Sequence, residues 1–229
     1  MSTTREQEFD RFASDYQQVL NRSIRLSGET GEYFAAVKAK YLSNLVGESF
    51  SGTVLDYGCG VGLLSGLLKN YLPAARIDGY DVSAASIERV DRTLAARGRF
   101  TSEMSELREN YDVVIISNVM HHVQAHERQA TISALQARLA RLGKLVMFEH
   151  NPRNPLTRWA VSHCPFDEGV RLLMPKEALA YFEATGLKVL RRDYIVFFPR
   201  PLAWLRYLES KMCWIPFGAQ YALVGEQDG

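Results

Sequence analysis

Residues 54–65 have the composition and spacing of a loop that binds a nucleotide-type cofactor. An apolar stretch ends at Asp56, and glycines follow at alternate positions, Gly58, Gly60 and Gly62. Glycine allows sharp turns and lets a ligand approach main-chain atoms closely. The helix predicted next would present free N–H groups to that ligand. The segment therefore predicts a cofactor site.

A second acidic residue follows at a distance typical of a ribose contact. Asp81 lies nineteen residues after Gly62, at the tip of the second predicted strand, where its carboxylate could accept hydrogen bonds from ribose hydroxyls. The dinucleotide pattern G-x-G-x-x-G is not met, because its third glycine would fall at Leu63 or Ser65. The miss at Ser65 is mild, so spacing alone leaves a dinucleotide cofactor open.

Three histidines are candidate general bases. His121 and His122 follow the predicted fourth strand, and His150 ends the predicted fifth. An imidazole titrates near neutral pH, so each could take a proton from a hydroxyl group. Two other interpretations stay open. The pair His121 and His122 could pack at its strand end, and His150 could cap its strand together with Glu149 and Asn151.

A zinc site is the other chemistry that histidines allow. The candidate ligands are His121, His122, His126, His163 and Cys164. Their spacing matches no established pattern of zinc ligands. We therefore expect no metal site.

Composition and charge are those of an ordinary globular protein. The 229 residues are 47% hydrophobic and 23% charged, which fits one large α/β domain. A net charge of +1 gives no electrostatic case for nucleic acid, so we expect no nucleic-acid partner. Three cysteines without a C-x-x-C pair, and a polar start, indicate a cytoplasmic location. No apolar run reaches the length of a membrane span.

Strands and helices are predicted to alternate through the middle of the chain. Residues 113–116 are apolar at every position, as in a strand that is covered on both faces. The alternation predicts a doubly wound α/β sheet. The predicted strands are Thr53–Tyr57, Arg76–Tyr80, Arg99–Ser102, Tyr111–Ser117 and Lys144–His150, and the predicted helices are Gly62–Tyr71, Ala84–Ala96 and Ala125–Leu142.

The two ends of the chain have a different pattern. Residues 4–46 have helical periodicity, with a break at Gly28–Gly31. Residues 151–174 contain three prolines and little periodicity, which indicates an insertion over the carboxyl edge of the sheet. The remaining predicted elements are a helix at Pro175–Thr185 and strands at Lys188–Phe198 and Gln220–Gly225.

Residues 50–150 resemble the class I S-adenosylmethionine-dependent methyltransferases. The resemblance rests on three signatures in the order and spacing of that family: residues 54–62, residues 81–83 and residues 111–123. It implies a Rossmann-like, mostly parallel sheet of seven strands, with an antiparallel strand near the C-terminus. It also implies S-adenosylmethionine as the cofactor.

The resemblance also implies which residues bind the cofactor. The glycine loop would wrap the methionine part, Asp81 would bind the ribose, and Val82 would flank the adenine. Tyr16 is the candidate for a lid contact, although it could instead pack the first helix with Phe9 and Phe12. The implied cofactor residues are Asp56, Gly58, Gly60, Gly62, Asp81, Val82, Glu103, Met104, Asn118 and Tyr16.

This interpretation divides the chain into three parts. Residues 1–46 would form an N-terminal helical lid, residues 47–150 the cofactor-binding core, and residues 151–229 an acceptor-side insertion with the last strands of the same domain. The segment 194–217 is amphipathic, aromatic and basic. It could contact a membrane surface or a lipid-like acceptor, pack in the core, or form a dimer face.

The predicted function is methyl transfer to a small-molecule acceptor, with oxygen favoured over carbon or nitrogen. The acceptor could be hydrophobic or lipid-like. Two other classes stay open: a nicotinamide-dependent oxidoreductase with the same glycine loop, and a non-catalytic protein that retains the cofactor site.

Overall fold

The computed structural model describes residues 21–228, except the side chain of Phe166. Its sheet has seven strands in the order β3-β2-β1-β4-β5-β7-β6. Strands β1 to β5 are parallel, and β7 runs antiparallel to both β5 and β6. This confirms the predicted fold class. The strands are β1 (Thr53–Tyr57), β2 (Arg76–Tyr80), β3 (Phe100–Thr101), β4 (Tyr111–Ser117), β5 (Leu139–His150), β6 (Lys188–Ile195) and β7 (Gln220–Glu226).

Helices cover both faces of this sheet. Alternate residues of β4 face opposite sides, so Val113 packs with one core cluster and Val114 with the other. The first cluster includes the helices α1 and α2, and the second includes α5 and α7. The helices are α1 (Gly31–Val46), α2 (Leu63–Tyr71), α3 (Ala84–Ile87), α4 (Arg92–Ala95), α5 (Arg128–Gln136), α6 (Pro155–Ser162), α7 (Pro175–Ala184) and α8 (Glu209–Met212).

The helix predicted at Ala84–Ala96 is two short helices, α3 and α4. Ser83 caps the first, since its hydroxyl accepts a hydrogen bond from the Ser86 N–H at 3.1 Å. Asp91 caps the second through the N–H groups of Thr93 and Leu94. A residue with a short polar side chain starts a new helix readily, which interrupts the predicted one.

The helix predicted at Ala125–Leu142 ends at Gln136, and β5 begins at Leu139 rather than at Lys144. Leu142 has a φ of 61°, which is not helical. A Cβ at Gly143 would lie 2.8 Å from the carbonyl oxygen of Tyr111. Close approach of the two strands at this bulge therefore fixes the backbone.

The insertion after β5 is more regular than its prolines indicate. Helix α6 begins at Pro155 and is capped by Asn154, whose side chain accepts from the Thr157 N–H at 3.0 Å. Asn151 ties the insertion to the chain before β7, because its side-chain amide donates to the carbonyl oxygens of Pro216 and Gly218 at 3.1 and 2.8 Å.

Strand β6 ends at Ile195 rather than at Phe198. Val196 has a φ of 60°, and the next two N–H groups, of Phe197 and Phe198, donate to the Glu209 carboxylate at 3.0 Å each. Beyond this turn, the chain forms a 3₁₀ segment at Arg200–Leu208.

The predicted N-terminal lid is only partly within the described residues. Tyr16, Phe9 and Phe12 lie outside them. The three predicted regions of the chain stay a prediction. Across residues 21–228, none of the helices combines the length and apolar character that a membrane crossing requires.

Candidate functional site

A cavity of about 810 Å³ lies at the carboxyl ends of the parallel strands. It is lined by the loops after β1, β2, β4 and β5, together with residues of α1 and α6. Open α/β sheets bind their ligands at this edge. We call the part lined by residues 56–60 and Asp81 the glycine-loop end, and the part lined by His121, His122 and His150 the histidine end.

Main-chain hydrogen bonds hold the glycine loop against β2. The N–H groups of Gly58 and Cys59 donate to the Tyr80 carbonyl oxygen at 2.7 and 2.9 Å. Gly58 has a φ of 76°, and a Cβ there would lie 2.3 Å from Val119 Cγ2. A residue without a side chain is therefore required at this position.

Asp56 joins the end of β1 to the start of α2. Its Oδ2 accepts a hydrogen bond from the Ser65 hydroxyl at 2.6 Å, and both residues are buried. Burial raises the pKa of Asp56 to about 6, against the opposing effects of the Ser65 hydrogen bond and the charge of Lys38.

Asp81 connects the tip of β2 to the loop. Its Oδ2 accepts from the Gly60 N–H at 2.7 Å, and its Oδ1 accepts from the Ser83 N–H at 2.9 Å. A carboxylate oxygen can accept more than one hydrogen bond, which is the chemistry that a ribose hydroxyl requires. A Cβ built on Gly60 would meet no atom within 4 Å, so the cavity is open at this turn.

Asn118 supplies an acceptor at the same end. Its Oδ1 is buried and has no hydrogen-bond partner among the described residues. A buried amide oxygen of this kind requires a donor, and the ammonium group of an amino-acid ligand is one. Together with Asp81 and the open turn at Gly60, this acceptor fits S-adenosylmethionine.

The other implied cofactor residues divide into two groups. Val82 and Met104 line the cavity with those above. Gly62 and Glu103 do not. Gly62, with a φ of 80°, turns the chain into α2, and the Glu103 side chain is exposed. Their assignment to the cofactor stays a prediction.

The three candidate bases meet at the histidine end. The ring centroids of His121 and His122 are 4.2 Å apart, and those of His121 and His150 are 5.2 Å apart. All three residues line the cavity.

His121 is held between two carboxylates. Its Nδ1 lies 2.6 Å from Glu149 Oε2, and its Nε2 lies 3.3 Å from Asp167 Oδ1. Burial alone would lower its pKa, but the two carboxylates outweigh this and raise the pKa of His121 to about 9. The ring is therefore an imidazolium at neutral pH.

His150 has the opposite protonation state. Burial, followed by the charge on His121, lowers the pKa of His150 to about 4. Its imidazole is therefore neutral at pH 7 and has a lone pair that can accept a proton. Nearby, burial of the Asp167 carboxyl is outweighed by its hydrogen bonds to His121 and His122, so its pKa is well below its usual value.

Lys38 is a cavity residue that sequence reasoning missed. Its Nζ donates to the Ser117 hydroxyl at 2.8 Å, and burial lowers the pKa of its ammonium group to about 8. The available signal was its position on α1, four residues from both Phe34 and Leu42 on an otherwise apolar face. A second missed residue is Gln220, whose buried Oε1 has no partner within residues 21–228.

Three side chains have the spacing of metal ligands. His121, His150 and Asp167 each place one potential ligand atom within 4.8 Å of the others. The pairing of His121 with two carboxylates is sufficient to account for this approach. The expectation that the chain binds no metal stays a prediction.

Known methyltransferases share this architecture. A family model described as a methyltransferase domain matches residues 24–192. A magnesium protoporphyrin IX methyltransferase from Synechocystis PCC 6803 is 17% identical, with a TM-score of 0.69 over 99% of both chains. A SAM-dependent methyltransferase from Archaeoglobus fulgidus is 16% identical, with a TM-score of 0.69 over 93% of this chain and 100% of the other. At such identities these structures show a shared fold.

Curated relatives correct one prediction. Ribosomal RNA small subunit methyltransferase C from Enterobacter sp. (strain 638) is 34% identical over 97 residues, which are 40% of this chain and 28% of the relative. The protein of the same name from Salmonella choleraesuis (strain SC-B67) is 41% identical over 75 residues, which are 31% and 22% of the two chains. This chain thus spans about a quarter of the length of these relatives.

The expectation of no nucleic-acid partner is wrong, because these relatives are named for ribosomal RNA. A net charge is a sum over the chain, so it does not reveal basic surfaces that are balanced by acids elsewhere.

The family match covers well over half of the chain, and it includes the strands and loops that line the cavity at residues 56–60 and at Asp81. This chain belongs to the class I S-adenosylmethionine-dependent methyltransferases.

Proposed function

We propose that this protein transfers the methyl group of S-adenosylmethionine to an oxygen atom of a small molecule bound at the histidine end. One observation carries the proposal. A single cavity of about 810 Å³ has the glycine loop and Asp81 at one end and a neutral imidazole, His150, at the other. A volume of this size suits a cofactor and a small acceptor together.

Residues of the glycine-loop end bind and orient the cofactor in this proposal. Asp81 accepts from the ribose, and Asn118 Oδ1 accepts from the amino-acid part. Lys38 is a buried cation that lines the cavity, which suits it to an anionic group of a ligand. The bound cofactor supplies an activated methyl group on a sulfonium ion. The protein's main contribution is then to hold the acceptor in line with it.

His150 is the base that we propose among the three candidates. During methyl transfer to an acceptor hydroxyl, the imidazole of His150 would take up the hydroxyl proton. His121 is unsuited to this step, because both of its ring nitrogens lie against carboxylates and it is already protonated. His122 lies 3.3 Å from Asp167 Oδ1, which favours a role in holding that carboxylate.

A nucleotide of RNA is the second candidate acceptor. The names of the curated relatives favour it. Enzymes that modify a base take it out of the stack into a pocket, so an enclosed cavity is compatible with this acceptor too. A cytoplasmic location stays a prediction from the cysteine content.

Titration with S-adenosylhomocysteine and with NADH tests the cofactor. We expect binding of the first, and we expect Asp81→Ala to weaken it by about 1–3 kcal/mol, or about 5- to 150-fold in Kd. Glu88→Ala is the control, since its exposed side chain lies outside the cavity lining and the residue is not among the implied cofactor residues. Binding of NADH alone would overturn the proposal.

Transfer of a labelled methyl group tests the acceptor. Small hydroxyl compounds and ribosomal RNA are offered in parallel, and label is counted in each product. Label on small compounds supports the proposal. Label on RNA alone makes the second candidate the function.

A further inference from the structure

Exposed apolar side chains are concentrated on three segments, each of which contributes to the cavity lining. Eight of the ten exposed large hydrophobic residues in the described part of the chain lie on three segments, 24–29, 153–163 and 199–217. The other two are Leu142 and Leu190. We call the eight the aromatic rim: Leu26, Leu156, Trp159, Leu202, Trp204, Tyr207, Trp214 and Phe217.

Direct contacts join the three segments. Arg206 Nη2 lies 2.6 Å from Glu29 Oε1, which connects the third segment to the first. Asn154 Nδ2 donates to the Phe217 carbonyl oxygen at 2.7 Å, which connects the second to the third. Leu26 and Leu156 also line the cavity. The three segments are therefore joined to one another beside the cavity.

The exposure of the rim is large for these residue types. Trp204, Tyr207 and Trp214 are 70%, 72% and 74% exposed. The chain has three tryptophans, and all of them are on the rim. Exposed apolar residues that are grouped in this way mark an interaction surface, whereas isolated ones need no explanation.

Every exposed, permanently charged side chain on these segments is basic. The acids Glu29 and Glu209 are only partly exposed. Glu29 accepts a hydrogen bond from Arg206, and Glu209 accepts from two backbone N–H groups. The exposed charges are Arg25, Arg153, Arg158, Arg200 and Lys211. The partner of this surface is therefore expected to be apolar and negatively charged.

We propose that the aromatic rim docks on an anionic membrane surface. Tryptophan and tyrosine are enriched where apolar and polar layers of a bilayer meet, and basic side chains are attracted to anionic headgroups. Leucines insert below that level. Docking in this orientation brings the cavity mouth to the lipid surface, so an acceptor with a long apolar tail enters without crossing water.

Two other partners fit the rim less well. A symmetric dimer through this face would place the same five basic residues of two copies against each other. Single-stranded RNA would use the aromatic rings and the basic groups, but it has no use for Leu26, Leu156 and Leu202. Residues 1–20 of this chain are a third candidate to cover the rim. Because the flotation experiment uses the full-length protein, these residues are present in it.

Flotation of the full-length protein with vesicles tests the proposal. We expect it to float with vesicles of phosphatidylcholine containing 30% phosphatidylglycerol, more than with phosphatidylcholine alone. Tryptophan emission should move to shorter wavelength on binding, and this signal comes from the rim alone. Trp204→Ser with Trp214→Ser should lower partitioning about tenfold or more. Leu142→Ser with Leu190→Ser, the exposed leucines elsewhere, is the matched control and should change nothing.

Separate variants test the contribution of the basic side chains to vesicle binding. Arg158→Gln with Lys211→Gln should lower partitioning on anionic vesicles about 30-fold and leave the weak binding to neutral vesicles unchanged. Lys40→Gln with Lys176→Gln, both exposed on α1 and α7, is the control. Thermal unfolding confirms that all variants are folded.

Four results would overturn the proposal. The first two are absence of flotation of the full-length chain and flotation that persists in the rim variants. The third is RNA binding that the rim substitutions abolish, with no vesicle binding. The fourth is self-association that shifts tryptophan emission in the absence of lipid. Because none of these readouts depends on methyl transfer, they separate failure of docking from failure of the proposed function.

Discussion

The glycine-loop end of the cavity is held by main-chain hydrogen bonds, whereas the histidine end is held by charged side chains. At the first, N–H groups of Gly58, Cys59 and Gly60 point to fixed acceptors on β2 and at its tip. At the second, an imidazolium at His121 lies between two carboxylates. Backbone amides do not titrate, whereas the imidazolium of His121 loses its proton as the pH rises through 9. The two ends should therefore respond differently to pH and to substitution.

The largest expected effect is on turnover, at the histidine end. His150→Gln should lower kcat by about 100- to 10,000-fold, because a positioned base is lost. The affinity for S-adenosylhomocysteine, set at the other end, should stay within about twofold of its original value. Calorimetry and initial rates measure both quantities.

The pH profile sharpens this prediction. With a pKa of about 4, His150 is a neutral base above that pH and is protonated below it. Activity should therefore persist through mildly acidic pH and be lost towards pH 4. A profile of kcat/KM that keeps the same acidic limb in His150→Gln would contradict the assignment.

The next effect is on stability at the same end. Glu149→Gln leaves the buried His121 imidazolium with one carboxylate instead of two, and this should cost about 3 kcal/mol of unfolding free energy. His122→Gln, whose ring is more exposed, is the matched control. Urea unfolding measures both variants.

The raised pKa of His121 sets the direction in which the stability cost of Glu149→Gln changes with pH. A folded pKa of about 9, above the unfolded value of about 6.5, stabilises the protein fully below pH 6.5, and this contribution is lost as the pH rises through 9. The cost of Glu149→Gln should therefore shrink between pH 6.5 and 9. A cost that stays constant over this range would contradict the ion pair.

At the glycine-loop end, steric fit should decide the effect. Gly58→Ala places a Cβ 2.3 Å from Val119 Cγ2, and it should cost about 2 kcal/mol of stability and disturb the loop. Gly60→Ala meets open space, so only the positive φ opposes it, at about 1 kcal/mol. Neither cost should vary between pH 6.5 and 9. If the two substitutions cost the same stability, the contact with Val119 is not the cause of the Gly58→Ala effect.

The smallest expected effect concerns Asn118. Asn118→Ala removes an acceptor that has no partner within the described residues, so only the φ of 57° at this position opposes alanine, at about 1 kcal/mol of stability. It should weaken S-adenosylhomocysteine binding by about 1 kcal/mol. A larger loss of stability without loss of affinity would show that the side chain is structural.

Sequence patterns predicted the glycine-loop end because its signals are local. An apolar strand, an acid and three glycines lie within residues 53–62, and the structure places β1 and the loop there. The sheet was predictable for the same reason. Where a local signal was ambiguous, at Asp91 and Leu142, capping and a positive φ changed the predicted helices.

The histidine end depends on contacts between residues that are distant in the sequence. Asp167 reaches His121 from 46 positions away, and Lys38 reaches Ser117 from 79. Neither spacing is a motif, so no pattern could pair them. The histidines themselves were predicted from their positions after the strands, but their opposite protonation states follow only from burial and from the neighbouring carboxylates.

The side-chain amide of Asn151 restricts how the two loops that it connects can change in length. Because it bonds two carbonyl groups before β7, the loop after β5 and the loop before β7 fit each other only at their present lengths. A residue gained or lost in one would leave those carbonyls without donors. Variation in loop length is therefore expected to arise in both loops together, with position 151 changing in the same step.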